Sequence, residues 1–278
     1  MELTLERSDL FQVGTCSHLG TLALTADKKS GRLRIVVGDD RGEVHAYEVK
    51  RGQPALVFKA SAGKGAVQAM CKGGGAVKDR VFCAVGQVVV GLGRKGKQFF
   101  SLQSSLVEPI RFLSVDEALL FTGGDYAHSR YKDGADDGFY TCPDKITCMC
   151  VQKSPWDSKH HVFLGCKDRR IRIVEKDHLI GEIAVDRAAT ALAIREVEAA
   201  AYELVVGDEG GTILCYRISD GLQAEAWRVV GTARVTCVSC FDVTCARGVL
   251  LQLAVVAATP STRRGVVTGS CDAIAAVW

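Results

Sequence analysis

The sequence predicts an all-β chain folded as a β-propeller, and three observations carry the prediction. One strand–turn–strand pattern recurs six times along the 278 residues. The runs between turns alternate apolar and polar side chains with a period of two, the mark of half-buried strands. Amphipathic helical stretches are scarce; the best, 195–202 (Arg-Glu-Val-Glu-Ala-Ala-Ala-Tyr), reads as a loop excursion between strands. Repetition on this scale signals a repeat architecture, and the length suits one domain of about six or seven four-stranded blades.

The copies run in order: VVGDDRGEVHAY (36–47), FCAVGQVVVGL (82–92), LFTGGDYAHSRY (120–131), FLGCKDRRIRIV (163–174), LVVGDEGGTILCY (204–216) and VVTGSCDAIAAVW (266–278). Each opens with an apolar strand marked by a glycine: Gly38, Gly86, Gly123, Gly165, Gly207 and Gly269. The intervals between these glycines are 48, 37, 42, 42 and 62 residues. The first four lie in or near the blade length of about 40–50 residues. A polar turn follows, as in Asp39-Asp40-Arg41-Gly42 and Asp208-Glu209-Gly210-Gly211, where glycine supplies the positive φ of a tight hairpin.

The strand after the turn alternates, as in Arg170-Ile171-Arg172-Ile173. A further strand follows a second turn, at 55–58 after Arg51-Gly52 and at 98–100 after Lys95-Gly96. Another apolar strand precedes the marked glycine, for example at 145–150. Four strands per unit make a propeller blade. Residues 3–13 are expected to lend one strand to a closing blade. The long last interval marks 245–265 as a divergent insertion, and residues 1–278 are read as one propeller domain whose ring lacks its final strands in this chain.

Composition excludes several function classes. An apolar share of 47% and a charged share of 24% describe a globular chain. The net charge of +3 leaves no nucleic-acid footprint. The first residues carry charges of both signs where a signal peptide needs an apolar core. The longest apolar-rich run, 249–258, is interrupted by Gln252 and too short to span a bilayer. Without asparagine there is no N-glycosylation sequon. The twelve cysteines sit largely in apolar runs, as at Cys83, Cys148, Cys150, Cys215 and Cys237, and read as reduced thiols acting as small hydrophobes. The cytosol is the expected compartment.

The Trp-Asp dipeptide that closes ordinary WD40 blades is missing from all six copies, so the propeller is WD40-like but divergent. DLFQVG (9–14), VVGDDRGEVHAY (36–47), KRGQPALVFK (50–59), RKGKQFFSLQSSLVEPIR (94–111), CKDRRIRIVE (166–175) and LVVGDEGGTI (204–213) stand in an informative order. Over residues 1 to 243 this ordered set resembles the N-terminal propeller of the Bardet–Biedl syndrome protein 7 family, subunits of the ciliary BBSome coat. The resemblance implies a seven-bladed ring in the full protein and a non-catalytic scaffold in ciliary membrane-protein trafficking. It implies Bardet–Biedl syndrome proteins 2 and 9 as partners, an Arf-like small GTPase that recruits the complex to membrane, and membrane-protein cargo. It places the protein at the cilium, basal body and cytoplasm, bound to membrane only through the complex.

Sharper motifs have plainer readings. Residues 91–96 (Gly-Leu-Gly-Arg-Lys-Gly) match a dinucleotide fingerprint, but that motif needs a following helix, and the residues after it read as a strand. Cys237-Val238-Ser239-Cys240 lacks the second ligand pair of a zinc site. Cys148, Cys150, His160, His161 and Cys166 are a weak metal constellation. No stretch reads Gly-x-Ser-x-Gly. Asp39, Asp40, Asp208, Glu209 and the Asp136-Asp137-Gly138 run read as solvated turn residues.

No catalytic, cofactor or metal site is therefore expected. Two basic clusters form the candidate interaction surface: Arg94, Lys95 and Lys97, and Lys167, Arg169, Arg170 and Arg172. A third, Arg263 and Arg264, sits in Thr-Arg-Arg-Gly, close to a lipid-binding Phe-Arg-Arg-Gly motif but without its Phe. The rival readings are a stand-alone phosphoinositide-binding propeller and, further off, a propeller enzyme with a site in its channel.

Overall fold

The computed structural model describes residues 22–26, 33–50, 53–74, 80–198, 201–220, 222–245, 248–258 and 271–277. The expected strand at 3–13 and the marker Gly269 lie outside them. The described residues form strands and turns without a helix. The chain divides into two compact units, 7–143 and 144–278, the latter joined by residues 1–6.

The 7–143 unit holds three four-stranded sheets. The first joins β1 (Leu22–Ala26), β2 (Leu33–Gly38), β3 (Glu43–Lys50) and β4 (Gln53–Ser61). The second joins β5 (Val67–Lys72), β6 (Val81–Val85), β7 (Val88–Leu92) and β8 (Gln98–Gln103). The third joins β9 (Phe112–Asp116), β10 (Leu119–Gly123), β11 (Ala127–Lys132) and β12 (Ala135–Thr141). In each, neighbours in sequence are antiparallel neighbours in space.

The 144–278 unit repeats the plan. Its first sheet joins β13 (Ile146–Lys153), β14 (His160–Cys166), β15 (Arg170–Glu175) and β16 (His178–Ala184). Its second joins β17 (Ala189–Glu198), β18 (Ala201–Asp208), β19 (Thr212–Ser219) and β20 (Leu222–Val230). A three-stranded sheet follows, of β21 (Val235–Cys245), β22 (Gly248–Ala258) and β23 (Cys271–Val277). The stretch 195–202, expected as a loop excursion, instead ends β17 and begins β18, with Arg195 opposite Glu203 and linked to it at 3.0 Å. Its Glu-Val-Glu-Ala run has helical propensity, but cross-strand pairing overrides that weak preference. Of 245–265, residues 248–258 form β22 and pair with β21 and β23.

Burial explains why the sequence alternates as it does. In the first sheet of the 144–278 unit the second strand, His160–Cys166, is buried on both faces and the fourth is largely exposed, while β3 alternates buried and half-buried side chains. The 144–278 core packs Phe163, Ile171, Ile173, Tyr202, Leu204 and Leu214. Each such side chain contributes about 1.5–3 kcal/mol on burial.

The marker glycines have a packing role that the turn argument did not anticipate. A Cβ on Gly38 would stand 2.6 Å from Val67 of the next sheet. One on Gly207 would collide with Val235 of the next sheet, and one on Gly165 would crowd Cys148 and Ala189. Glycine there lets the neighbouring sheet close in. Gly86 differs: it is a turn residue at φ 59 with nothing near its Cβ position.

Candidate interaction surface

The turns after Gly38 and Gly207 are each set by a buried carboxylate. Asp39 and Asp208 were expected to be solvated; they are 1% and 2% exposed. Asp39 Oδ1 accepts the backbone N–H of Arg41 (3.0 Å) and Glu43 (2.7 Å). Asp208 Oδ1 accepts those of Gly210 and Thr212, both at 2.8 Å. The short Asp side chain reaches its own turn amides, so Oδ1 of each stays satisfied when buried. Asp40, Glu209 and Asp136 are exposed as expected, while Asp137 is half-buried and paired with Arg130 at 2.7 Å.

The equivalent turn in the β14–β15 hairpin carries the second basic cluster. Arg169 takes the place that Gly42 and Gly211 hold in the other two turns and is in the left-handed region at φ 64. Lys167 and Arg169 are exposed and form no ion pair among the described residues. Arg170 is exposed and bonds Glu182 at 2.9 Å. Arg172 does not belong to the surface. It is 4% exposed, clamped by Asp168 (2.5 and 3.2 Å) and by Glu182 (3.2 Å). The Arg172 guanidinium holds the Asp168 carboxyl below its usual range, and the same bond pushes Arg172 up. Residues 171–174 of β15 are buried on both faces, so Arg172 is covered although it shares a face with exposed Arg170, and the two carboxylates make burial tolerable.

The first basic cluster occupies the β7–β8 turn, so residues 91–96 form a hairpin. Gly93 N–H donates to Lys97 and Gly96 N–H to Gly93, both at 2.9 Å. Lys95 and Lys97 are exposed, and the Arg94 carbonyl accepts from Arg34 Nη1 at 3.4 Å. Each cluster lies in its own unit. Arg263 and Arg264 lie outside the described residues.

The cysteine–histidine constellation is not drawn together as a ligand set. Cys148 is buried in the core with Cys150 packed against it, and burial pushes the Cys148 thiol up to about 12. His161 instead meets the Tyr202 hydroxyl (3.2 Å) and Asp157 Oδ2 (3.3 Å). Trp156 stacks on Tyr202 with ring centroids 5.1 Å apart. Trp156-Asp157, the chain's Trp-Asp dipeptide, thus sits in the β13–β14 turn rather than at the close of a blade. Cys237 and Cys240 both fall in β21, a strand and not a thioredoxin-like helix start.

Two features escaped sequence reasoning. Asp39, Glu43 and His45 each bring a metal-ligating type of atom within 4.8 Å of the others. Glu43 is held by Lys59 at 2.7 Å, which lowers its carboxyl, and His45 bonds both Glu43 (3.4 Å) and Tyr47 (3.2 Å). These bonds account for Glu43 and His45 as a protein-internal network. The alternation of Glu43, His45 and Tyr47 on one face of β3 was the available signal. The second feature is an aromatic groove in the 7–143 unit around Phe82, Phe99 and Phe100. It needs tertiary contact between two sheets, which no local pattern announces.

Comparison with known proteins gives the fold its place. A family model described as the BBS7 beta-propeller matches residues 22–250. BBSome complex member BBS7 of Mus musculus is 29% identical over 254 residues, covering 87% of this chain and 35% of that protein. BBSome complex member bbs-7 of Caenorhabditis elegans is 27% identical over 248 residues, covering 86% and 34%. The chain therefore spans about a third of the length of these relatives.

Among solved structures, BBS1N in complex with ARL6DN aligns with a TM-score of 0.70 at 13% identity, covering 90% of this chain and 79% of that one. The WD40 propeller domain of Doa1 aligns at 0.60 and 12% identity, covering 87% and 80%. At such identities the likeness speaks for the fold alone, a divergent WD40-like β-propeller.

Proposed function

The chain belongs to the BBS7 β-propeller family, and from that membership we propose that it is a non-catalytic scaffold module of a BBSome-like coat. The observation that carries the reading is the family match across residues 22–250, the span that holds five four-stranded sheets and the start of a sixth. Rigid sheets whose fourth strands and hairpins face solvent offer contact area. The groups described at them are turn caps, core thiols and ion pairs, which suit holding a partner.

The proposed partners are other coat subunits, with Bardet–Biedl syndrome proteins 2 and 9 first. Recruitment to membrane by an Arf-like small GTPase acts on the assembled complex, and the cargo is ciliary membrane protein. The exposed cations Lys95 and Lys97 with half-buried Arg94 in one unit, and the exposed Lys167, Arg169 and Arg170 in the other, are the proposed contact residues for acidic faces of these partners. Among the described residues no helix is long and apolar enough to cross a membrane.

A tagged full-length protein tests the proposal by pull-down from ciliated-cell extract with mass spectrometry. Co-recovery of the other coat subunits in comparable amounts is the expected outcome. A folded bait that recovers none of them overturns it.

A further inference from the structure

A groove of about 290 Å³ opens where the second and third sheets of the 7–143 unit meet. Its wall is aromatic. Phe82 meets Phe99 and Phe100 edge-on, with ring centroids 5.6 and 5.8 Å apart. The Arg80 guanidinium lies 4.3 Å from the Phe99 ring centroid. These contacts fix the rings, so the groove is formed before anything enters it. Phe99 nevertheless leaves 42% of its surface exposed. Leu119 adds apolar surface from the third sheet.

The charge on the lining has one sign. Glu117 and Asp133 are its only charged residues, and neither has an ion-pair partner among the described residues. Both sit at hairpin tips in the left-handed region, Glu117 at φ 53 and Asp133 at φ 52. Aspartate is tolerated there, but glutamate is not what such a turn selects; asparagine or glycine serves the backbone better. An unpaired acid at each tip, one of them at a position unfavourable to it, beside a preformed apolar wall, describes a surface complementary to an apolar group that carries a cation.

We propose that this groove docks a segment of a partner protein in which a large apolar side chain stands beside a lysine or arginine. The apolar side chain packs on Phe99 and Phe100, and the cation meets Glu117 and Asp133. The volume accommodates about one or two large side chains, at the lower edge of small-molecule pockets and short of a dinucleotide. An apolar anchor in a pocket supplies affinity, and the rim charges select the partner.

The test is a selection of phage-displayed random linear peptides on the full chain. The same peptides are then measured on a Glu117→Asn/Asp133→Asn variant. Asparagine suits both turns, so this variant keeps or gains thermal stability while losing the charge. Enriched peptides are expected to place Phe, Leu or Trp next to Lys or Arg, and to bind the variant about tenfold more weakly. A Phe99→Ala chain gives a second reading and is expected to lose the same peptides. No enrichment on the wild-type chain, enrichment of acidic or purely polar peptides, or undiminished binding to the asparagine variant overturns the proposal.

Discussion

At the bulge in its first strand, each sheet of the 144–278 unit carries a threonine: Thr147, Thr190 and Thr236. The bulge of β5 in the 7–143 unit carries Gln68. The Thr147 hydroxyl bonds Gly165 O (2.9 Å) in its own sheet and Ala189 O (2.5 Å) in the next. Thr190 likewise joins Gly207 O (3.1 Å) and Val235 O (2.5 Å). Gln68 Oε1 is buried without a partner. Histidines repeat the contrast. His161 has Tyr202 and Asp157 at its two ring nitrogens, whereas His128 Nε2 is buried without a partner. The same sheet plan thus tolerates either a satisfied or an unsatisfied polar interior. Each buried unpartnered acceptor costs about 1–3 kcal/mol. The 7–143 unit is therefore expected to open first.

The largest expected effect is a pH dependence centred on His128. Its Nδ1–H donates to Thr122 O at 3.0 Å, and burial lowers its pKa to about 4, with Arg130 adding to the shift. Between the unfolded value and that one, the unfolded chain binds a proton the folded chain refuses. Stability therefore falls as pH falls from about 6.5 to 4, by about 3 kcal/mol. His128→Phe keeps the stack on Phe121 and should remove most of that slope. Urea unfolding at pH 7 and pH 4.5, read by peptide-resolved hydrogen exchange, compares the two chains. Intrinsic fluorescence follows only the other unit, since Trp156, Trp227 and Trp278 all fall within 144–278. An unchanged slope in the variant rules His128 out as the titrating group.

The capping aspartates give a smaller, differential effect. Asp208→Ala removes two amide caps and is expected to cost about 2 kcal/mol. Asp39→Ala removes the same two caps but also the buried, unpartnered Asp39 Oδ2. Its cost is expected to be about 1 kcal/mol. Equal losses in denaturant midpoint would show that the unpartnered oxygen carries no penalty.

What the sequence made legible follows from range. The hairpins, their turns and the order of strands depend on period-two alternation and on Gly and Asp within a few residues, and all of these are local. The glycine markers were found for that reason, although their cause at Gly38 and Gly207 is the approach of the next sheet and not the turn. The burial of Arg172 was not legible, because its alternation with Ile171 and Ile173 put it on the polar face with Arg170; its carboxylate clamp includes Glu182 from the neighbouring strand. The burial of Asp39 and Asp208 was not legible, because the same Asp-x-x-Gly letters describe a solvated turn or a capped one. The aromatic groove joins side chains of two sheets and leaves no local trace.

The smallest expected effects test the bulge directly. Thr190→Val keeps the shape, removes the hydroxyl from between two sheets and should cost about 1 kcal/mol. Gln68→Thr places at β5 the residue that the 144–278 unit uses at three bulges. It removes a buried unpartnered amide oxygen and supplies a hydroxyl short enough to reach the flanking carbonyls. The gain should be about 0.5–1 kcal/mol, seen as slower exchange in the peptides that cover β5 and β6. If Thr190→Val costs as expected and Gln68→Thr gains nothing, the difference between the units lies in their backbone spacing at the bulge. A gain at Gln68 assigns it to the side chain, because a single hydroxyl would then have converted one kind of sheet junction into the other.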